Sequence, residues 1–313
     1  MSADVSESVS ATSVTMIAAS ADVLELDAGW PRLRDAVAVA GLEPAVAAWD
    51  DPAVDWASFD LVVANYTWGY VLRREPFLDW AATVAARTRL LNPEPVLRWN
   101  SDKAYLADLA AAGVPTVPTT RVPPGVAWEP PARDYVVKPS VASGAIEAAR
   151  YVAQGVEAAR AHVARLHRQG QTALVQPYLR AVDDGGETAL VHFGGRFSHA
   201  LGKAALLEPD AGPIFGLWER QVVTPRTARP DQHALAEGAL RAVHGRVGPT
   251  AYARVDLVDG DDGRPVVMEV ELVEPSLFLD LAPGASERLA DTLLGWLRAA
   301  DPAPPPAARP GTG

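Results

Sequence analysis

The sequence has no cysteine among its 313 residues. This absence excludes disulfide bonds, thiol nucleophiles and thiolate metal sites, and it suits a reducing cytoplasm, where we expect the protein to reside. No apolar run approaches the roughly 20 residues that span a bilayer, so we predict no membrane contact. Residues 1–13 contain no lysine or arginine, unlike a secretory signal, and are predicted to form a disordered tail.

Basic residues are fewer than acidic ones: the chain has 28 Lys and Arg and 39 Asp and Glu, which gives a formal net charge of −11. A general nucleic-acid-binding surface needs excess positive charge, so we predict no nucleic-acid partner. A local basic pocket for a nucleotide is compatible with this balance. The hydrophobic fraction of 49% is that of a globular protein, and the length predicts two or three packed units.

Several common catalytic signatures are missing. The chain has neither the GxGxxG of a dinucleotide site nor the GxxxxGK[ST] of a P-loop, and no Ser/His/Asp signature stands out. The six histidines are scattered, and we expect His192 and His199 to serve ordinary packing in a hairpin. Any nucleotide chemistry must therefore use a different set of residues.

The first predicted unit comprises residues 14–98 and alternates strands with helices, which indicates a small doubly wound α/β domain. Strands are predicted at 14–19 and 61–64, and helices at 31–40 and 74–87. Ligands of such domains lie beyond the carboxyl ends of the strands. Trp68, Tyr70 and Arg73 follow the second strand at this position. They are expected to form either a substrate pocket or an aromatic contact between domains.

The rest of the chain is predicted to form a second unit at residues 99–180, a third unit at 181–301 and a Pro-rich tail at 302–313. The second unit has predicted helices at 100–112 and 156–166 and strands at 135–139 and 173–179. The third unit has a predicted hairpin at 187–201, an acidic hairpin at 251–272 and helices at 231–247 and 285–299.

The acidic hairpin is the most informative of these elements. Side chains alternate across a strand, so Arg254 and Asp256 share one face, as do Glu269 and Glu271 on the next strand. If the two faces coincide, three carboxylates converge, and such a group repels itself unless a cation lies among them. Oxygen ligands of this kind suit Mg²⁺, although a solvated sheet face is the alternative. Met268, Val270 and Leu272 are predicted to point to the opposite, apolar face.

Upstream residues point to a nucleotide. Lys103 and Lys138 lie at element boundaries, and the small-residue loop after Lys138, which includes Ser143, allows backbone N–H groups to approach a phosphate. Residues 176–179 could clamp a flat base at a domain junction. Glu187 could accept hydrogen bonds from two ribose hydroxyls.

In this order, these features resemble the ATP-grasp superfamily, which includes D-alanine–D-alanine ligase and glutathione synthetase. The resemblance covers residues 92–279 and implies an N-terminal doubly wound α/β domain followed by two α+β domains that clasp ATP. Within the superfamily, the sequence is most similar to the cyclo-ligases of D-cycloserine biosynthesis, which close O-ureido-serine. This closer resemblance is carried by Trp68, Tyr70 and residues 99–103, 137–139, 176–178 and 269–278.

The resemblance implies a role for each matching residue. Arg254 and Lys138 would be catalytic; Lys103, Lys138, Ser143, Gln176, Pro177, Tyr178, Leu179, Glu187 and Lys203 would bind ATP; Asp256, Glu269 and Glu271 would hold Mg²⁺; and Trp68, Tyr70, Arg73, Glu274 and Ser276 would contact the substrate. Two positions depart from the pattern: Glu271, where many members have Asn, and Gly69, where the cycloserine-type relatives tend to have Asp. Whether Glu271 ligates metal therefore stays open.

The function implied is that of an ATP-dependent carboxylate–amine ligase, acting on a small amino-acid-like substrate through an acylphosphate. A specialised-metabolite or antibiotic pathway is expected. The alternatives are an intramolecular cyclo-ligase and a non-catalytic nucleotide-binding protein. The expected partners are small-molecule carboxylate and amine substrates. Because ATP-grasp proteins are often dimers, the resemblance also makes a homodimer one expected assembly.

Overall fold

A computed structural model describes residues 12–18, 28–215 and 221–299. The strands are β1 (Thr12–Ala18), β2 (Leu42–Ala48), β3 (Leu61–Tyr66), β4 (Arg89–Leu91), β5 (Thr120–Val122), β6 (Tyr135–Pro139), β7 (Ala149–Tyr151), β8 (Ala173–Pro177), β9 (Glu187–Phe193), β10 (Arg196–Lys203), β11 (Val223–Pro225), β12 (Tyr252–Asp259) and β13 (Pro265–Glu271). The helices are α1 (Trp30–Val39), α2 (Arg74–Ala85), α3 (Glu94–Asn100), α4 (Tyr105–Ala111), α5 (Val156–Arg168), α6 (Ala181–Gly185), α7 (Pro230–Val247) and α8 (Ala285–Arg298). The tail predicted at 302–313 and residues 1–11 of the N-terminal tail lie outside the described residues, whereas residues 12 and 13 belong to β1.

The N-terminal sheet has the order β2-β1-β3-β4, and all of its pairings are parallel. This arrangement confirms the predicted α/β unit. Every residue of β3 is buried, as the continuous apolar run predicts for a central parallel strand. Strands β2 and β4 are not predicted from the sequence. Pro44 interrupts β2, and β4 has only three residues, too few for a periodic pattern.

The central sheet has the order β5-β8-β6-β7, with antiparallel pairings. Strand β6 alternates: Tyr135 and Val137 pack into a core with α5, which turns Val136 and Lys138 to the opposite face. That alternation directs Lys138 toward the cavity described below.

The helix predicted at 100–112 is shorter in the structure, because Asn100 is the last residue of α3 and α4 begins only at Tyr105. Asn100 is buried and uses its side-chain amide to donate to Val270 O (2.7 Å) and to accept from Leu272 N (2.8 Å). The amide thus occupies the free edge of β13, where another strand would pair. Asp102 then accepts from Ala104 N (2.8 Å) as the chain turns into α4.

The C-terminal sheet has the order β11-β10-β9-β12-β13 and is antiparallel. One face packs on α7 and the other on α8. The three sheets draw their strands from residues 12–91, 120–177 and 187–271, and the domain boundaries inferred from the sequence stay predictions. Within the described ranges, no helix is long and apolar enough to cross a bilayer.

The acidic hairpin has the register that brings its polar faces together. Arg254 lies opposite Glu271, and Asp256 lies opposite Glu269. A bulge follows, because Leu257 pairs with Val267 and leaves Met268 as the extra residue. The prediction that Met268 shares the apolar face of β13 is therefore wrong, and its side chain lines the cavity instead.

Candidate active site

A large cavity of about 640 Å³ is lined by residues of the central and C-terminal sheets and of the loops beside them, with Trp68 contributed by the N-terminal unit. Most of the residues singled out from the sequence line it: Trp68, Lys103, Lys138, Ser143, Gln176, Pro177, Tyr178, Leu179, Glu187, Lys203, Arg254, Glu269, Glu271, Glu274 and Ser276. The volume falls in the usual range for small-molecule and cofactor sites. The structure thus brings these residues, which are distant in sequence, together around one cavity.

The floor of the cavity carries a chain of buried ion pairs. Lys203 Nζ bridges Glu187 (2.9 Å) and Asp256 (2.8 Å). Arg254 Nε donates to the other oxygen of Asp256 (2.9 Å), and Arg254 Nη2 donates to Glu271. Burial acts to raise the pKa of Asp256, but Arg254 and Lys203 outweigh it and hold that pKa at about 2. Asp256 is 1% exposed, so it lies beneath the cavity surface.

Two further lysines, Lys103 and Lys138, also line the cavity. Lys103 is buried, donates to Ala142 O and pairs with Glu269 at 2.9 Å. Lys138 has no hydrogen-bond or ion-pair partner in the described part of the chain, and burial lowers its pKa. Among the four cations of the cavity, Lys138 is thus the one that the described residues leave available for an anionic ligand.

The predicted metal ligands have suitable chemistry but are not gathered as a ligand set. In the described ranges, no group of three or more His, Asp or Glu side chains is positioned to hold a metal ion. These carboxylates are not arranged around one point because each is paired with a cation: Glu271 with Arg254, and Glu269 with Lys103. Burial, reinforced by the charges of Glu269 and Asp256, nevertheless raises the pKa of Glu271 to about 7. An added cation would relieve that unfavourable negative charge, so these hard oxygen donors fit a divalent ion.

The junction after β8 forms another part of the cavity wall. Gln176 is buried and donates to Thr119 Oγ1 (2.8 Å). The ring of Tyr178 lies under the Arg150 guanidinium (3.6 Å to the ring centroid), and its hydroxyl donates to Asp183 (2.5 Å). These contacts fix the junction between β8 and α6 at the cavity wall.

Sequence analysis missed most of the apolar lining. The missed residues include Val136, Ile146, Leu206, Leu207, Met268 and Phe278. Their side chains come from five places along the chain, since Leu206 and Leu207 are neighbours, so no local periodicity marks them as one set. The bulge that exposes Met268 and the left-handed backbone of Phe278 (φ 48°) likewise have no strong sequence signal.

The aromatic segment after β3 both packs against its own unit and lines the two cavities. Trp68 lines the cavity, and its Nε1 donates to Glu274 O (3.0 Å), which fastens this segment to the chain after β13. Tyr70 packs on Phe77 (ring centroids 4.9 Å apart) and lines a small neighbouring cavity. The segment is therefore packing and cavity wall at once.

Arg73 is the one predicted substrate residue that the structure places elsewhere. Its guanidinium pairs with Asp50 (2.5 Å) and lies 4.7 Å from the centroid of the Trp49 ring. The side chain is half exposed and lines neither cavity. The short 3₁₀ turn Trp68–Leu72 ends just before Arg73 and leaves this residue on the outer surface, which corrects the assignment.

The fold matches that of solved ATP-grasp proteins. D-alanine–D-alanine ligase from Bacillus anthracis, solved in complex with ATP, shares the fold at a TM-score of 0.64 and 13% identity, covering 92% of this chain and 97% of that one. The ATP-grasp ligase PsnB, complexed with a minimal precursor, matches at a TM-score of 0.60 and 17% identity, covering 91% and 99%. The protein described here is an ATP-grasp ligase.

Closer relatives narrow the class. Cycloserine biosynthesis protein DcsG from Streptomyces lavendulae is 41% identical over 289 residues, covering 88% of this chain and 96% of the relative. The crystal structure of D-cycloserine synthetase DcsG matches at a TM-score of 0.83 and 38% identity, covering 91% of this chain and 100% of that one. Residues 13–92 match the family described as the N-terminal domain of D-cycloserine synthetase DcsG. The chain belongs to the DcsG family.

Proposed function

We propose that this ligase uses ATP to activate the carboxylate of a small amino acid and then joins it to a nitrogen of the same molecule, closing a ring as in D-cycloserine synthesis. The observation that carries the proposal is the convergence of Lys103, Lys138, Lys203 and Arg254 with facing carboxylates in one cavity. From the sequence alone, the leading hypothesis is ligation of two molecules, with ring closure as an alternative. The extent of the match to D-cycloserine synthetase favours ring closure.

The nucleotide is proposed to lie along the cavity from the junction after β8 to the acidic hairpin. Gln176, Tyr178 and Leu179 would hold the adenine, and Glu187 would accept from the ribose hydroxyls. Lys138, lacking a partner in the described residues, would take the phosphates together with Lys103. Anions bind well where desolvated cations are already fixed in place, because the interaction is strong in a low dielectric.

A divalent cation is proposed to accompany the nucleotide. Asp256, Glu269 and Glu271 would hold Mg²⁺, which supplies neutralisation of the phosphate charge when bound. Lys103, which now pairs with Glu269, and the Arg254 nitrogen that pairs with Glu271 can turn to phosphate oxygens as the nucleotide enters. The other bonds of Arg254, to Asp256 and Ser276, would stay in place. The ion pairs would then be exchanged rather than lost, and each buried charge would keep a partner.

The chemical step needs no protein nucleophile. A carboxylate oxygen of the substrate attacks the γ-phosphorus, the bond to ADP breaks, and an acylphosphate forms. The neutral nitrogen then attacks the carbonyl carbon, the bond from this carbon to the phosphate oxygen breaks, phosphate leaves, and the proton from nitrogen passes to solvent. Arg254, fixed by Asp256 and by Ser276 O (3.0 Å), would stabilise charge on the transferring group.

Substrate-dependent ADP release tests this proposal. The full chain is incubated with Mg·ATP and single amino acids, amino-acid pairs and O-ureido-serine, and the products are identified by mass. We expect ADP release with a single amino-acid-like compound and a product lighter than that substrate. A product heavier than either substrate would show ligation of two molecules instead. Tight Mg·ATP binding with no ADP released for any compound would contradict an enzymatic function.

A further inference from the structure

Glu274 is a buried carboxylate without a partner. The residue is 7% exposed, and no hydrogen bond or ion pair engages its carboxylate within the described residues. It lines both the large cavity and the adjoining small one, so the group faces space that a ligand can enter. A buried charge normally has a partner, since an unpaired one is costly to desolvate. The missing partner is therefore expected to come from a ligand.

The backbone around Glu274 is firmly held, which fixes the position of this carboxylate. Glu274 O accepts from Trp68 Nε1 (3.0 Å), and Pro275 O accepts from Asn65 Nδ2 (3.1 Å). Ser276 O accepts from Arg254 Nη1 (3.0 Å). Such a framework is typical of a site that is formed before its ligand arrives.

The neighbouring charges favour a cationic ligand. Glu269 and Glu271 lie nearby, and the cations beside them, Lys103 and Arg254, are engaged with those two carboxylates. Three carboxylates and one lysine, Lys103, thus line the small cavity. Burial is the main cause that raises the pKa of Glu274, and the negative charge of Glu271 raises it further. The second effect has the same origin, the carboxylates gathered at this place.

The small cavity has the size of an ammonium group. Its volume is about 20 Å³, enough for one water-sized group, and Tyr70 forms part of its wall. Burial and the charge of Glu274 raise the pKa of Tyr70, so its phenol stays neutral. A larger cation, such as a guanidinium, would not fit this space.

We propose that Glu274 binds a free ammonium group of the substrate, which remains charged and unreacted while another nitrogen closes the ring. This inference rests on the proposed function and assigns a binding residue, Glu274, to the α-ammonium group of the amino-acid substrate. A nitrogen held as ammonium has no lone pair, so it cannot attack the activated carbonyl. The site would thus select the substrate and also prevent the wrong nitrogen from reacting.

Binding of two ring compounds tests the inference without turnover. D-cycloserine carries a free amino group, and 3-isoxazolidinone is the same ring without it. Calorimetry with the full chain and Mg·ADP should show D-cycloserine binding about 30-fold more tightly, a preference that Glu274→Gln should abolish. Glu237→Gln, a substitution on the exposed face of α7, serves as the matched control and should keep the preference.

Two further readouts separate a ligand-binding role from a structural or metal-binding one. The ligand-free Glu274→Gln protein should melt at or above the wild-type temperature, because it loses an unpaired buried carboxylate, and its affinity for Mg·ADP should stay within about twofold. A lower melting temperature with an unchanged ring preference, or a weakened Mg·ADP affinity, would overturn the inference. Failure of wild type to bind either ring would overturn it as well.

The same variant distinguishes this inference from the proposed function. If wild type closes no ring but its preference for the amino compound depends on Glu274, the function fails and the inference stands. If Glu274→Gln closes rings with an unchanged KM for the amino substrate, the inference fails and the function stands.

Discussion

Replacing Glu269 with glutamine is expected to lower substrate-dependent ADP release by about 100-fold or more while the protein stays folded. Glu269 is proposed to bind Mg²⁺, and a neutral amide is a much poorer ligand for this hard ion than a carboxylate. The amide oxygen can still accept from Lys103, which now pairs with Glu269 at 2.9 Å. The substitution therefore removes the charge without removing the hydrogen-bond acceptor. ADP release, measured over a range of Mg²⁺ concentrations, gives both the rate and the apparent metal affinity.

Exposed Glu237→Gln is a suitable control for this experiment, because it makes the same chemical change outside the cavity. Melting curves of both variants check that the fold is intact. Wild-type rates for Glu269→Gln at limiting Mg²⁺ would show that this carboxylate is not a metal ligand.

Replacing Lys138 with methionine is expected to weaken ATP binding by about 100-fold with little loss of stability. Lys138 alone among the four cations of the cavity lacks a partner in the described residues, so its removal leaves no carboxylate unpaired. Methionine keeps a similar length and suits the buried stem of this side chain. The dissociation constant for Mg·ATP, measured by calorimetry, and the free energy of unfolding provide the two readouts.

Lys203→Met is the informative comparison for Lys138→Met. Lys203 bridges Glu187 and Asp256, so its removal leaves two buried carboxylates with less compensation. We expect Lys203→Met to lose about 3–5 kcal/mol of stability in addition to ATP affinity. Equal losses of stability in the two variants, or unchanged ATP binding in Lys138→Met, would contradict the proposed roles.

The sequence predicts the acidic hairpin well because alternation and register are local properties. Arg254, Asp256, Glu269 and Glu271 lie opposite one another as the two-residue period requires. The resemblance adds Lys103, Lys138 and Gln176, whose meeting in one cavity depends on pairings between distant segments. Periodicity cannot supply such pairings, whereas a fold shared with relatives can.

Other features follow from tertiary context and were not predictable. The bulge that turns Met268 into the cavity and the partnerless Lys138 depend on neighbours far along the chain. Asn100 is predicted from the sequence to begin a helix, but it ends α3 and its side chain bonds the edge of β13 in the structure. The prediction that Arg73 contacts the substrate is wrong. This residue follows the aromatic segment in the sequence, but its side chain lies outside the cavity. The Mg²⁺ ligands, the homodimer and the cytoplasmic location stay predictions.

The central claim is that ATP activates the substrate carboxylate as an acylphosphate, and oxygen transfer measures this directly. The substrate found by ADP release is prepared with ¹⁸O in its carboxylate, and the phosphate released by the enzyme is analysed by mass spectrometry. The account predicts one ¹⁸O atom in each phosphate released from fully labelled substrate, because the carboxylate oxygen that attacks the γ-phosphorus leaves with it. Unlabelled phosphate, released in step with product, would contradict the account.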